Sequence, residues 1–184
     1  PAAMMGAPAV ITEKLPNGDE FQQAFEALGK HLGKEVFATL PLEAGGVNSM
    51  VPIAVAARLG LPLVDSDGMG RAFPELQMLT FHLHGIGASP MAMADEKGNH
   101  VLLHTINNHW AEQLARSVTV TMGASSMVGL YAMSGAQLKK AGIHGILSES
   151  ERLGRLIRKA RANGETPAAR VAEAAGGFRL FRGK

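Results

Sequence analysis

Residues 36–65 run through an apolar stretch, a glycine-rich loop, a helix-forming stretch and a second apolar stretch, and this order limits the fold more than any other feature of the chain. Val36–Leu40 reads as a buried strand. Asn48 or Ser49 is placed to cap a helix running to about Leu59, with Pro52 in its first turn and Gly60 just past its end. Leu61–Asp65 is a second short apolar strand. Strand, helix and strand in about 30 residues is the size of a βαβ unit, whose strands are parallel and whose crossover is right-handed. The predicted class is α/β, a mixed sheet containing this parallel unit over 36–65.

Other segments add to that frame. Phe21, Phe25, Leu28 and Leu32 recur at helical spacing after the Asn17-Gly18 turn, and Gly33 supplies a stop. Residues 79–86, 118–122 and 126–133 read as strands. Met91–Ala94 and His100–Ile106 flank Asp95-Glu-Lys-Gly-Asn99 as a β-hairpin. Asn107 or Asn108 caps a helix through Trp110 and Leu114, and Gly135–Ala141 is a short helix. Ser148 and Glu151 form a capping box for a helix to Ala162, which Asn163-Gly164 ends. Thr166-Pro167 opens a last helix, stopped at Gly176-Gly177. The chain thus ends in C-terminal helices.

Composition narrows the function classes. With 46% hydrophobic and 18% charged residues the chain can bury a core, and 22 glycines among small side chains let elements pack closely. Zero cysteines exclude a thiolate nucleophile or a zinc-thiolate site in this chain. A cytoplasmic location is the default reading, since no apolar run reaches membrane-span length and the first residues do not read as a signal peptide. Residues 1–138 hold 7 Lys/Arg against 12 Asp/Glu, and residues 139–184 hold 11 against 4, which together give the net +2. Aromatic side chains for base stacking are scarce in the basic part, so a solvated helix face is expected there and no nucleic-acid partner.

Two polar loops carry the candidate chemistry. Glu43, Gly45, Gly46, Asn48 and Ser49 sit between the first strand and its helix, at the sheet edge where open α/β folds bind ligands. The glycines allow close backbone approach, and the helix start offers N–H groups to an anion or carbonyl oxygen. A tight turn with a helix cap explains the same residues. Neither a Walker A loop nor a G-x-G-x-x-G fingerprint is present. The second loop, Asp65-Ser-Asp67-Gly-Met-Gly-Arg71-Ala-Phe-Pro-Glu75, follows the next parallel strand and should emerge beside the first. Crowded carboxylates raise one another's proton affinity and can form an acid/base pair. They equally suit a divalent cation such as magnesium, with Arg71 orienting a carboxylate or offsetting the acids. An Asp-rich turn is the structural alternative. His82 and His84, two apart on an expected strand, would face one side and could ligate a metal, with His100, His104 and His109 nearby. No complete ligand spacing accompanies them. Met69, Met78, Met91 and Met93 read as core filling.

The string Glu43-Ala-Gly-Gly-Val-Asn-Ser49, followed by Ala56-Ala-Arg-Leu-Gly-Leu-Pro-Leu-Val-Asp-Ser-Asp-Gly-Met-Gly-Arg-Ala-Phe-Pro-Glu-Leu-Gln-Met78, resembles the DUF917 or S-methyl-thiohydantoin desulfurase-like family. Gly6-Ala-Pro8, Glu13-Lys-Leu-Pro-Asn-Gly-Asp-Glu20 and Ala88-Ser-Pro-Met-Ala-Met-Ala-Asp95 extend the resemblance over nearly the whole chain. It implies a link to hydantoin utilisation and hydrolytic attack on a cyclic ureide's ring carbon between two nitrogens, with loss of a thiol. It also implies a longer parent. Residues 1–177 are expected to be an N-terminal-type domain lacking its first Gly-rich segment. Residues 178–184, with Phe178, Leu180 and Phe181, are expected to begin a missing C-terminal domain. The partners expected are a small cyclic ureide, that C-terminal domain and further copies of the chain in a homo-oligomer. The histidine pair lies outside the pattern. The rival class is a non-catalytic ligand-binding or assembly domain whose acidic loops contact other protein.

Overall fold

The computed structural model describes residues 1–176, so the strand-like tail expected from residue 178 lies outside the described residues. Two compact units divide the chain, Pro1–His144 and a second from Gly145 onward.

The first unit is built on a four-stranded sheet of β1 (Ala2–Gly6), β5 (Ser125–Gly129), β3 (Met91–Ala94) and β4 (His100–Leu103), in that spatial order. Every pairing in it is antiparallel. The hairpin forms as expected, with Ala94 opposite His100 and Gly98 at φ +89° in its turn. Side chains alternate across the sheet with the period of two that a strand imposes. Ala3, Met5, Met91, Met93 and Val128 face one core, where Ala111 and Ala115 of α4 (Asn108–Thr121) pack. Ala2, Met4, Ala94 and Met127 face another, covered by Ala24 and Phe25 of α1 (Glu20–Leu32) and by Val51 and Val55 of α2 (Val51–Leu59). The arrangement is helix, sheet, helix, with β1, β5 and β3 buried on both faces and His100 and Leu102 of the edge strand β4 exposed. Small residues set the spacing: a Cβ on Gly129 would come within 3.1 Å of the Ala24 carbonyl oxygen in α1. Each fully buried methionine contributes about 1.5–3 kcal/mol by leaving water.

Several expected elements form with their expected ends. Gly33 and Gly60 close α1 and α2 in the left-handed conformation, at φ +59° and +64°. The Asn107 side chain accepts from Trp110 N–H at 2.9 Å and caps α4. Ser134 and Gln137 form a capping box on α5 (Gly135–Ala141).

Others differ. The parallel βαβ unit over 36–65 is not present as a pair of strands. A single parallel bridge, Thr39 to Leu63, flanks α2, and Thr39 to Leu40 otherwise reaches only Ala2 N–H and the bridge at Pro41. Segment 79–86 is not a strand but a turn of helix, α3 (Thr80–Leu83). The Thr80 hydroxyl is spent on the carbonyls of Gly68 and Ala141, and its backbone N–H also bonds Gly68. Segment 118–122 continues α4 through Thr121. Ala111, Ala115 and Thr119 give it a buried stripe at four-residue spacing, while Ser117 and Thr121 bond carbonyls one turn back. The strand expected over 126–133 is shorter and ends at Gly129. Ser66–Asp67 (β2) pairs antiparallel with Ile143–His144 (β6) in a small second sheet.

The second unit is a pair of packed helices, α6 (Ile146–Ala162) and α7 (Pro167–Ala174). The helix starts at Ile146 after Gly145 at φ +79°, so Ser148 lies inside it and not at its cap. Glu149 pairs with Arg152 and Glu151 with Arg155 along the exposed face. Such exposed pairs contribute little to stability, a median of about 0–1 kcal/mol each. Among the described residues no helix is long and apolar enough to cross a membrane.

Candidate functional site

Segments 39–43 and 62–68 run side by side in the first unit. Thr39 N–H bonds the Pro62 carbonyl at 3.0 Å, Val64 N–H bonds Thr39 at 2.9 Å, and Gly68 N–H bonds Leu42 at 3.1 Å. Glu43 and Asp67 therefore follow at neighbouring ends. Asp67 is fully buried and Glu43 is 6% exposed. Asp67 Oδ1 accepts from Met69 N–H at 3.1 Å and Gly70 N–H at 2.8 Å, and its carboxylate also accepts from Ala44 N–H in the other loop. Glu43 is hydrogen-bonded by the Asn48 side chain. Its carboxylate occupies the space beside Gly45, where a Cβ would lie 2.5 and 2.6 Å from the two oxygens. A side chain at Gly45 would force that carboxylate to shift.

Each acid keeps one buried oxygen, Glu43 Oε2 and Asp67 Oδ2, with no hydrogen-bond partner. The buried hydroxyls of Thr39 and Ser66, on the same two segments, share that condition. An unsatisfied buried polar atom costs about 1–3 kcal/mol, so each of these calls for a partner such as a ligand or bound water. Burial pushes the Glu43 carboxyl above its ordinary value; the Asn48 hydrogen bond opposes this, and the Asp67 charge adds to it. Burial likewise pushes Asp67 up, against the pull of the Gly70, Met69 and Ala44 N–H groups. The Asp67 charge thus disfavours ionisation of Glu43.

The other expected residues are placed as follows. Asp65 is half-buried, two residues before Asp67 on the same segment. Arg71 is exposed, and Glu75 is half-buried with its carboxylate accepting from the Gln77 side chain. Neither Arg71 nor Glu75 contributes to the shifts at Glu43 and Asp67. Gly46 is exposed. Asn48 does not cap α2: its side chain ties the loop to β1, accepting from Met4 N–H at 2.7 Å and donating to Met4 O at 3.1 Å. Ser49 does not cap it either, since Met50 holds the N-cap position. The N–H groups expected to meet an anion are used locally, Ser49 on Gly45 O and both Met50 and Val51 on Val47 O. Loop amides serve Asp67 instead.

The histidine expectation changes with the secondary structure. His82 lies on α3 with its Nδ1 against the Asn108 amide at 3.0 Å, and His84 caps that turn, so the shared strand face does not exist. His104 meets His31 at 2.8 Å between Nε2 atoms, and His100 meets Gln23 at 3.2 Å. Among the described residues no group of three or more His, Asp or Glu is arranged to hold a metal ion. Glu43 and Asp67 alone supply fewer oxygens than the six or more a hard cation takes, the remainder being water or substrate. Sequence reasoning missed Thr39 and Ser66. The available signal was a small hydroxyl residue inside an apolar run, Ala38-Thr39-Leu40, and another between two acids.

Comparison with known proteins agrees with the loop sequences. A crystal structure of a protein from Chromobacterium violaceum is 32% identical and superposes with a TM-score of 0.78 over 87% of this chain and 46% of that one. The chain therefore spans about half the length of that relative. No curated protein matches it. Residues 1–105 match the S-Me-THD-like N-terminal domain and residues 106–184 the S-Me-THD-like C-terminal domain, and the chain belongs to the S-Me-THD-like family.

Proposed function

We propose that Glu43 and Asp67 are the acid/base pair of a hydrolase acting on cyclic ureides such as S-methyl-thiohydantoin or hydantoin. The observation that supports this reading is the pair itself: two adjacent buried carboxylates, both shifted upward, each with an unpartnered oxygen, in a chain of the S-Me-THD-like family. The ionised member takes a proton from water as the water oxygen adds to the ring carbon between the two nitrogens. The protonated member donates to the ring nitrogen or the departing sulfur. For an S-methyl-thiohydantoin the carbon–sulfur bond breaks, methanethiol leaves with the proton, and the hydantoin remains. A group with a raised proton affinity suits both transfers near neutral pH. Asn48 and Gly45 position Glu43, and the Met69, Gly70 and Ala44 amides position Asp67.

The test is turnover of S-methyl-thiohydantoin and of hydantoin by the purified protein, following methanethiol release and ring opening. The reading expects turnover of at least one ring, and a loss of about 100-fold or more in Asp67→Asn and Glu43→Gln. Absence of turnover of any such ring by folded protein would refute it.

A further inference from the structure

On the α1 face of the first unit lies a cavity of about 350 Å3. That volume falls in the range of small-molecule sites, about 300–1,000 Å3. Ile11, Phe21, Val51 and Met127 form apolar wall, and Met50, itself 60% exposed, lines it as well. Four charged side chains border it: Lys14, Glu20, Asp95 and Glu96.

Their hydrogen bonds decide what the cavity can recognise. Lys14 Nζ is held by Glu96 at 2.7 Å and by the carbonyls of Met122 and Ser125 at 2.5 and 2.6 Å. Two of its protons go to those carbonyls and its charge is offset by Glu96, so Lys14 is a poor partner for an anionic ligand. The carboxylates differ. Glu20, only 3% exposed, accepts from Gly18 N–H at 2.8 Å through Oε2, leaving acceptor capacity on a group with about four lone-pair sites. Burial pushes Asp95 up, but hydrogen bonds from Asn99 and Lys97 and the Lys14 charge outweigh it and hold the acid below its ordinary value. The border is therefore three carboxylates against one ammonium, around apolar walls.

We propose that this cavity binds a compact organic cation, an alkyl- or arylammonium, with its hydrocarbon body against Phe21 and Met127 and its N–H groups donated to Glu20. With three carboxylates against one ammonium at its border, the site favours cations and disfavours anions. This assignment does not depend on the hydrolase reading, because neither Glu43 nor Asp67 lines the cavity.

The test is binding of benzylammonium, benzyl alcohol and benzoate to the purified chain, followed by calorimetry and by amide shifts in NMR. Benzylammonium is expected to bind most tightly, benzyl alcohol next, and benzoate at least about tenfold more weakly than benzylammonium, as loss of a charge-assisted hydrogen bond implies. Shifts should centre on Phe21, Met50, Ala54 and Met127. Glu20→Gln should weaken benzylammonium about tenfold and leave benzyl alcohol unchanged. Ala54→Phe, on the exposed side of α2, should fill the cavity and abolish binding of all probes without unfolding the chain. Equal affinity for benzoate and benzylammonium, shifts mapping elsewhere, or full benzylammonium binding by Ala54→Phe would each overturn the assignment.

Discussion

Glu43 and Asp67 follow two backbone segments tied by the Gly68 N–H to Leu42 hydrogen bond of 3.1 Å, and each keeps a buried carboxylate oxygen without a partner. The pair is costly to the fold, which gives the first prediction. Asp67→Asn removes a buried charge while its oxygen still accepts from Met69 and Gly70. Stability at neutral pH should rise by about 1 kcal/mol while turnover falls by about 100-fold or more. Urea denaturation and the methanethiol assay check the two halves. A variant losing stability and activity in parallel would mean that Asp67 is only structural.

The second prediction concerns pH. Both acids have raised proton affinity in the folded chain, so between the ordinary carboxylate range and their raised values the folded state binds more protons than the unfolded one. Stability therefore falls as pH rises through that window and is fully retained below it. The stability advantage of Asp67→Asn over the parent should vanish below about pH 4 and grow toward neutrality. Denaturation midpoints across pH measure this directly, and a pH-independent gap would contradict it.

Gly45 and Gly68 separate positioning from packing. The atoms nearest a Cβ at Gly45 belong to the Glu43 carboxylate, at the end of a side chain that can shift, so Gly45→Ala should fold with a stability change under about 1 kcal/mol and lose most turnover. A Cβ at Gly68 would lie 2.7 Å from the Phe81 ring, within the core, so Gly68→Ala should destabilise by about 1–3 kcal/mol. Thermal unfolding of the two variants beside the activity assay distinguishes them. Equal thermal losses would remove the distinction.

Asn108 tests the scaffold away from the acids. Its side chain accepts from Ala88 N–H at 2.7 Å and donates to the Ile86 carbonyl at 3.1 Å, both in the interior. Asn108→Ala should orphan these groups and cost about 2–4 kcal/mol. Denaturant titration checks it, and a loss under about 1 kcal/mol would show that another group replaces the amide.

Local signals were legible where local chemistry decides. Gly33, Gly60, Asn107 and Gly164 each end or cap a helix because left-handed φ or a side-chain acceptor is needed at that residue. Signals failed where tertiary partners decide. Val118, Thr119 and Val120 carry strand propensity, yet Ala111, Ala115 and Thr119 bury a helical stripe beneath the sheet. Residues 79–86 read as a strand, but Thr80 is bonded to Gly68 and Ala141, more than ten residues away in each direction along the chain. The nearness of Glu43 and Asp67 was readable from two polar loops after two apolar runs. The missing ladder between those runs was not, because residues 39 and 63 share only one bridge.

The central claim is that Glu43 and Asp67 form one coupled acid/base pair. The most direct measurement is the titration of the Glu43 side-chain carboxyl by carbon-13 NMR, in the parent chain and in Asp67→Asn. Glu43 is expected to titrate above the ordinary range in the parent and lower in Asp67→Asn, where the neighbouring charge is gone and burial, opposed by the Asn48 hydrogen bond, remains. A Glu43 carboxyl that titrates in the ordinary range, or one unmoved by Asp67→Asn in a folded chain, would contradict it.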